Sequence, residues 1–280
     1  MIDDPVHEAV HLALAEDLGE ERDITTEALV PADARGRAEL LAKQDAVLAG
    51  CEGFELTFSE LDHEAVVTWN AKEGDRVSAG DVVATVHASL RAILTGERTA
   101  LNFIMRDSGV ATLTSLYVAA AGGVPVRDTR KTIPGRRFEQ KRAVRAGGGV
   151  NHRSGLFDAY LIKDNHIAVA GGITPAVERA RRANPGLWIE IECETLEQVS
   201  AALDAGADEL LLDNMDLETL SEAVRLASGR AKTEASGGVT LDTIGAIAKT
   251  GVDSISVGAL THSAPAVDFS LEVSPDAPRR

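Results

Sequence analysis

Charged and polar residues recur in this sequence immediately after short apolar runs that have the length of β-strands. These runs lie between about residue 124 and residue 258, and each is followed by side chains able to bind anions, hold cations or carry protons. The groups are 128–132 (DTRKT), 163–166 (KDNH), Glu192, Asp213 with Asn214, 236–238 (SGG) and 258–262 (GALTH), and the stretch 147–153 (GGGVNHR) adds to them. Loops that only face solvent would not repeat this placement so regularly.

One part of this set suits a substrate that carries several negative charges. Arg130, Lys131, His152, Arg153 and Lys163 supply cationic or imidazole groups, which bind carboxylate and phosphate by charge-assisted hydrogen bonds. Lys163 directly follows an apolar strand, and a lysine placed in this way needs a partner, which favours a functional role.

The other part consists of carboxylates and a glycine-rich turn. Glu192 and Asp213 follow consecutive predicted strands, where they would hold a divalent cation or ribose hydroxyls and stabilise a carbon that develops positive charge. Ser236, Gly237 and Gly238 stand between a strand and a helix start, where backbone amides can bind phosphate. The whole set therefore predicts a substrate with phosphate, pyrophosphate and carboxylate groups.

Each group also has a purely structural interpretation. Arg130 and Lys131 could be surface charges, Glu192 and Asp213 could cap the helices that follow them, and 236–238 could be a plain turn. The sequence contains no visible Ser-His-Asp or nucleophilic-cysteine arrangement and no GxGxxG motif after a strand.

The elements that must position these residues alternate as strand, loop and helix, which predicts parallel strands joined by helices. The predicted strands are 124–127, 159–162, 188–191, 209–212, 232–235 and 254–257. Thr195 and Gln198 form a capping box, and Asp216 and Thr240 are predicted N-caps. Because the last strand ends near residue 258, eight full repeats do not fit, and we expect an incomplete α/β (TIM-like) barrel with its site at the carboxyl ends of the strands.

Residues 1–104 follow a different pattern. A helix is predicted from Pro5 to about Glu16 and ends near Gly19, short alternating runs between 38 and 86 predict a small antiparallel sheet, and a helical run extends from about 90 to 120. We therefore divide the chain into an N-terminal domain, 1–104, and a catalytic barrel, 105–264. In the tail, 265–280, a strand over 268–273 is expected to return to the N-terminal sheet.

Composition limits the classes of partner. The formal net charge of −16 argues against nucleic acid or an anionic membrane, since both attract basic surfaces. No apolar run is long enough to span a bilayer, the first residues lack the features of a signal peptide, and Cys51 and Cys193 lack metal-binding spacing, so we expect a cytoplasmic protein. The acidity reflects either salt adaptation or codon bias, and composition alone does not separate the two.

Seven segments, in this order along the chain, closely resemble the quinolinate phosphoribosyltransferase family, a group of type II phosphoribosyltransferases. They are 128–135 (DTRKTIPG), 147–153 (GGGVNHR), 161–167 (LIKDNHI), 190–192 (EIE), 212–215 (LDNM), 234–238 (EASGG) and 257–263 (VGALTHS). Near the N-terminus, 16–19 (EDLG) and 23–26 (DITT) also fit, so the resemblance covers nearly the whole chain.

The resemblance implies an N-terminal α/β sandwich domain, an incomplete α/β barrel and a pentosyl-transferring glycosyltransferase. Such an enzyme converts quinolinate and phosphoribosyl pyrophosphate into nicotinate mononucleotide, pyrophosphate and CO₂ in de novo NAD biosynthesis, with Mg²⁺. It also implies a homodimer or hexamer whose active site is shared between subunits.

The resemblance further implies roles for particular residues. Arg98 would reach quinolinate from the neighbouring subunit, and Thr129, Arg130, Lys131, His152, Arg153 and Lys163 would bind quinolinate from the barrel. Glu192 and Asp213 would hold the ribose and Mg²⁺, and these two carboxylates with Lys131 and Lys163 are the predicted catalytic residues. The phosphate would be bound by Ser236, Gly237, Gly238, Val257, Gly258 and Ala259, with His262 nearby.

Three other interpretations stay open at this point. The first is a relative with the same fold and another substrate, such as nicotinate phosphoribosyltransferase or a homologue associated with molybdenum transport; the intact His152–Arg153 pair and Lys163 favour a dicarboxylate instead. The second is a Schiff-base aldolase that uses Lys163, which borohydride trapping would reveal. The third is a non-catalytic quinolinate-binding protein, which would have no use for Glu192 and Asp213.

Overall fold

A computed structural model describes residues 4–19 and 22–276, which form two compact units. Unit 1 comprises Met1–Leu113, Thr132–Gly148 and Ser263–Arg280, and unit 2 comprises Thr114–Lys131 and Gly149–His262. The segment 132–148, which the sequence prediction assigned to the barrel, therefore groups with unit 1. No helix in the described residues is both long enough and apolar enough to cross a bilayer.

The helices of unit 1 begin and end where local chemistry favours it. Helix α1 (Pro5–Leu18) begins after Asp4, whose Oδ1 accepts hydrogen bonds from the backbone N–H groups of Val6 and His7, and it ends at Gly19 with a φ of 59°. This confirms the first predicted helix. The other helices are α2 (Ile24–Leu29), α3 (Cys51–Leu61), α4 (Leu90–Ala120, whose last turns belong to unit 2) and α5 (Arg137–Ala146).

Unit 1 contains a four-stranded antiparallel sheet. Its strands are β1 (Arg35–Ala42), β3 (Val66–Trp69), β5 (Val82–Ser89) and β12 (Phe269–Pro275), in the order β12-β1-β5-β3, and β2 (Ala46–Val47) pairs separately with β4 (Arg76–Val77). Because β12 pairs with β1, the end of the described chain lies in this sheet. Alternate residues of β1 are buried, and Leu40 of this strand lies in one hydrophobic core with Phe54 and Phe58 of helix α3.

Unit 2 is built on six parallel strands. They are β6 (Val126–Arg127), β7 (Tyr160–Ile162), β8 (Ile189–Cys193), β9 (Glu209–Asp213), β10 (Lys232–Ser236) and β11 (Ser254–Ser256). The order is β6-β11-β10-β9-β8-β7, so the first strand lies beside the last as it would in a barrel. Among the described residues β6 and β7 do not pair with each other, which leaves the barrel open and confirms the predicted fold class.

The helices of unit 2 follow the strands, as expected for βα repeats. They are α6 (Asp164–Ala170), α7 (Ile173–Ala183), α8 (Leu196–Ala205), α9 (Leu217–Ala227), α10 (Leu241–Ala248) and the short α11 (Ala259–His262). The Thr195–Gln198 capping box is present at α8, and Asp216 and Thr240 accept N-cap hydrogen bonds at α9 and α10. These caps set the point at which each loop turns from a strand into its helix.

Candidate active site

A cavity of about 740 Å³ lies in unit 2 at the carboxyl ends of the strands. Fifteen of the predicted site residues line it, namely Thr129, Arg130, Lys131, His152, Arg153, Lys163, Glu192, Asp213, Ser236, Gly237, Gly238, Val257, Gly258, Ala259 and His262. Arg98 is the predicted residue that does not line this cavity; it lies on α4 in unit 1, where its side chain is exposed.

A second depression of about 680 Å³ opens at the amino ends of the strands and has a different character. Its charged side chains are already neutralised, since Lys232 Nζ lies 2.6 Å from Asp253 and Asp208 lies 2.8 Å from Arg181. The cavity at the carboxyl ends is therefore the site with unused binding capacity.

Cations form one wall of the cavity. Arg130 Nε is buried and has no hydrogen-bond partner among the residues that the structure describes, so it is available to an anion. Arg153 donates to the carbonyl of Ala159 at 3.2 Å, while burial and the neighbouring Arg130 guanidinium lower the pKa of Arg153. Two guanidinium groups close enough to repel each other are stabilised when a dianion binds between them.

His152 is held from two sides by the protein. The backbone N–H of Arg153 donates to Nδ1 at 2.7 Å, and Nε2 lies 2.8 Å from Glu190 and 3.6 Å from Glu234. Burial alone would lower the pKa of His152, but the hydrogen bond with Glu190 and the charge of Glu234 outweigh it and raise that pKa. A substrate carboxylate at this imidazole would therefore compete with Glu190 for Nε2.

The loop that carries His152 is fixed by a residue to which the sequence analysis gave no role. Asp128 is fully buried and accepts hydrogen bonds from the backbone N–H of His152, at 3.0 Å, and from the side chain of Asn151. The backbone N–H of Asp128 donates to the carbonyl of Val150, which joins the loop to the end of β6. The signal for Asp128 was its position in the 128–135 motif.

Below the cavity, charged groups replace part of the usual apolar barrel interior. Arg127 Nη1 lies 2.8 Å from Glu209 and 2.5 Å from Glu234, and both carboxylates are almost completely buried. Trp188 Nε1 donates to the second oxygen of Glu209 at 3.0 Å. Burial and the nearby charge of Glu190 raise the pKa of Glu234, because both disfavour its ionised form.

The carboxylates predicted to act on the sugar are each held by a neighbour. Lys163 Nζ lies 2.5 Å from Oε2 of Glu192, and Asn214 Nδ2 donates to Oδ2 of Asp213 at 2.6 Å. The Nζ of Lys163 is thus already engaged by a carboxylate, whereas a Schiff-base lysine needs its amine free to attack a carbonyl carbon. The geometry therefore argues against the aldolase interpretation.

Two turns rich in small residues complete the cavity. Gly237 and Gly238 have φ values of 91° and 59°, in the positive range that favours glycine, and both residues line the cavity. At the next strand end, a methyl group added to Gly258 would lie 3.1 Å from Cδ of Lys131, so the absence of a side chain there makes room for this lysine. Thr261 Oγ1 donates to the carbonyl of Lys131 at 2.9 Å and ties the ends of β6 and β11 together.

Comparison with known families matches both parts of the chain. Residues 23–108 match the N-terminal domain of quinolinate phosphoribosyl transferase, and residues 110–272 match the C-terminal domain of the same family. The chain belongs to the quinolinate phosphoribosyltransferase family. This confirms the family resemblance seen in the sequence, and members of this family are phosphoribosyltransferase enzymes.

Individual quinolinate phosphoribosyltransferases are similar over most of their length. The chain is 42% identical over 283 residues to a chloroplastic carboxylating nicotinate-nucleotide pyrophosphorylase from Oryza sativa, covering 94% of this chain and 76% of the relative. It is 44% identical over 240 residues to a probable enzyme of the same name from Bacillus subtilis, covering 85% and 83%. The nicotinate-nucleotide pyrophosphorylase structure from Francisella tularensis superimposes with a TM-score of 0.93 at 41% identity, covering 98% of each chain.

Proposed function

We propose that this chain transfers the phosphoribosyl group of phosphoribosyl pyrophosphate to quinolinate with loss of CO₂, giving nicotinate mononucleotide and pyrophosphate. The observation that carries the proposal is the meeting, in one cavity, of a cationic wall, two carboxylates and two glycine-containing turns. The family and the names of the relatives agree with this activity.

The cationic wall suits the two adjacent carboxylates of quinolinate. Arg130 offers an unused buried donor, Arg153 and Lys163 add charge, and Thr129 and Lys131 line the same side of the cavity. We infer that His152 positions the segment that carries Arg153, since the ring nitrogens of His152 face Glu190 and the backbone. These groups bind and orient the pyridine ring so that its nitrogen faces the sugar.

In the same cavity, Glu192 and Asp213 are the groups that hold the ribose hydroxyls. Their negative charge stabilises the ribosyl carbon as its bond to pyrophosphate weakens and positive charge develops there. The turns at 236–238 and 257–259, with His262, bind the 5′-phosphate through backbone amides. Lys131 and Lys163 balance the negative charge of the departing pyrophosphate. When CO₂ leaves, the electron pair of the broken C–C bond stays on the ring carbon, which takes up a proton from water.

Mg²⁺ fits the donor set of this cavity. Glu192 and Asp213 supply carboxylate oxygens, the ligands that Mg²⁺ prefers, and the substrate would supply phosphate oxygens. When bound, the ion neutralises charge on pyrophosphate. The two carboxylates have the further task of facing the ribose, which is why we propose them both as metal ligands and as catalytic groups.

We also propose a homo-oligomer, a dimer or a hexamer, in which Arg98 completes the active site of a neighbouring subunit. Arg98 is exposed and makes no ion pair or side-chain hydrogen bond with any residue in the described part of the chain. An exposed arginine without such contacts is available to a partner. Cytoplasmic location stays a prediction, and its support is that Cys51 and Cys193 are both free thiols.

The test is an assay of the purified protein with quinolinate, phosphoribosyl pyrophosphate and Mg²⁺, following CO₂ and nicotinate mononucleotide. Nicotinate lacks one carboxylate and therefore loses at least one charge-assisted contact, each of which contributes about 1.5–3 kcal/mol. We expect kcat/KM for quinolinate to exceed that for nicotinate by about a hundredfold or more, because more than one contact is lost. Equal use of the two acids would contradict the proposed substrate.

A further inference from the structure

We propose that Asn214 is a positioning residue that holds the carboxylate of Asp213 and the Gly237–Gly238 turn in one fixed relation, so that the ribose and its 5′-phosphate are bound as a unit. The inference rests on the proposed function, because it assigns the two held groups to the two parts of ribose 5-phosphate. Neither the sequence motifs nor the relatives' names assign a role to Asn214.

The backbone of Asn214 is unusual for this chain. Within residues 4–19 and 22–276 it is the one non-glycine residue with a positive φ, 54°. Asparagine is among the few residues that adopt this conformation with little steric cost, and such conformations concentrate at functional sites. The conformation turns the chain sharply directly after β9, so the side chain of Asn214 returns towards that of its neighbour Asp213.

Asn214 contacts both groups at once, one through its side chain and the other through its backbone. Its Nδ2 donates to Oδ2 of Asp213 at 2.6 Å, which fixes one oxygen of that carboxylate. Its backbone N–H donates at 2.9 Å to the carbonyl of Ser236, the last residue of β10. Asn214 therefore joins the ends of two adjacent strands, one carrying the sugar-binding carboxylate and the other the phosphate-binding turn.

Gly237 shows how closely the two loops fit. A methyl group added to it would lie 2.2 Å from Oδ1, 2.6 Å from Cγ and 2.9 Å from the backbone nitrogen of Asn214, so the Asn214 carboxamide would have to move. Gly237 also has a φ of 91°, so glycine is required there for two separate reasons. The carboxamide of Asn214 thus packs directly on the backbone of the turn while its amide holds Asp213.

The arrangement has a consequence specific to one ligand. In ribose 5-phosphate the hydroxyl groups and the phosphate are a fixed number of bonds apart, so a site that binds both needs its carboxylate and its amides at a matching separation. Loss of the Asn214 side chain frees Asp213 and loosens the turn together. The binding of the sugar phosphate should weaken, whereas quinolinate, which the cationic wall binds, should be unaffected.

Two variants test this in the full-length protein. Asn214→Gly keeps the positive φ without strain and removes the carboxamide, while Asn214→Asp keeps the shape and replaces the donor with an oxygen that repels Asp213. The matched control is Asn184→Gly, an exposed asparagine outside the cavity whose amide donates to Tyr160. Calorimetry measures the binding of ribose 5-phosphate in buffer free of divalent metal, and of quinolinate separately.

We expect both Asn214 variants to bind ribose 5-phosphate at least tenfold more weakly than the wild type, with quinolinate affinity within twofold and Asn184→Gly unchanged in both. Ribose 5-phosphate affinity within twofold of the wild type in both variants would overturn the inference, as would an equal loss for both ligands, which indicates general disruption. If Asn214→Gly fails to fold, the near-isosteric Asn214→Asp decides alone. Wild-type protein that neither binds these ligands nor forms nicotinate mononucleotide would instead refute the proposed function, before any variant is compared.

Discussion

Replacing Arg127 with methionine should lower the free energy of unfolding, because it leaves buried carboxylates in the barrel interior without their cation. Arg127 is the cation between Glu209 and Glu234, at 2.8 and 2.5 Å, and both carboxylate side chains are at most 4% exposed. Removing one partner of a buried ion pair costs about 3–5 kcal/mol, because the other charge remains without compensation. The free energy of unfolding of an ordinary domain is about 5–15 kcal/mol, so this loss is a large part of the total.

The loss should depend on pH in a defined direction. Burial and the charge of Glu190 already raise the pKa of Glu234, so the folded state binds the proton of this carboxyl more tightly than the unfolded state does. Proton binding by Glu234 therefore stabilises the folded state at low pH, and this contribution is lost as the pH rises through the folded-state pKa. Arg127 favours the ionised form, and without it the pKa rises further. The free energy of unfolding of Arg127→Met should therefore fall further below that of the wild type at pH 8 than at pH 5.5.

Urea unfolding at these two pH values checks the prediction. The matched control is Arg230→Met, which breaks an ion pair of 2.7 Å with Asp204, a side chain that is 75% exposed, and should cost less than about 1 kcal/mol. Adding Glu234→Gln to Arg127→Met should restore part of the loss by removing one uncompensated charge. If Arg127→Met behaves like the surface control, or loses equal stability at both pH values, the reasoning about buried charge is refuted.

Three further predictions concern the proposed activity and the acidity of the chain. Lys163→Ala should lower kcat/KM for quinolinate about 10- to 150-fold, the equivalent of about 1.5–3 kcal/mol. Its Tm should change little, because the lysine side chain is half exposed. A lower Tm with unchanged kinetics would contradict this prediction. Arg98→Ala and Lys163→Ala should each have a clearly reduced kcat/KM, and a mixture of the two should be more active than either alone, since hybrid dimers contain one intact site. No recovery after verified subunit exchange would assign both residues to one subunit's site. Repulsion arising from the net charge of −16 extends over about 30 Å at 0.01 M salt and about 3 Å at 1 M. KCl should therefore raise Tm, because it screens this repulsion, and should also raise KM for quinolinate, because it screens the attraction between the cationic wall and the anion. A Tm that does not change with KCl would indicate codon bias.

The barrel strands were predictable because short runs with the length of strands alternate with loop and helix-cap signals along this part of the chain. All six lie within two residues of their predicted limits, for example β9 at Glu209–Asp213 against a prediction of 209–212. The convergence of their end residues on one cavity follows from the parallel arrangement, in which every carboxyl end meets the same edge. Arg98 lies in unit 1, in agreement with its place in the predicted N-terminal domain, and it does not line that cavity.

The partners of His152 were beyond sequence reasoning. Strand β8 alternates as Ile189, Glu190, Ile191 and Glu192, a pattern typical of one buried and one solvated face. In the structure Glu190 is as buried as its isoleucine neighbours, because the second face of a barrel strand points into the interior. Only the three-dimensional arrangement brings this glutamate to His152.

Three helices of unit 1 were also not predicted, namely α2, α3 and α5, and the reason is clear for the last two. Helix α3 lies within the region interpreted as alternating strands, and its buried Phe54 and Phe58 have no strong helix preference; their packing in the core decides the conformation. Helix α5 is rich in charge, yet Glu139, Gln140 and Lys141 are buried, so the polarity of its residues does not indicate which of them the fold buries. In both cases tertiary contacts override local propensity.

The opening between β6 and β7 has a consequence for how the chain avoids self-association. A sheet that does not close leaves two edges with unpaired backbone groups, and such edges can recruit strands from other molecules and lead to aggregation. Here both edge strands are short, since β6 has two residues and β7 has three. A single β-bridge between Val150 and Arg127 covers the outer side of β6. An edge of this length offers too few hydrogen bonds to hold an intruding strand, so the barrel can remain open at its seam and still resist the growth of β-aggregates.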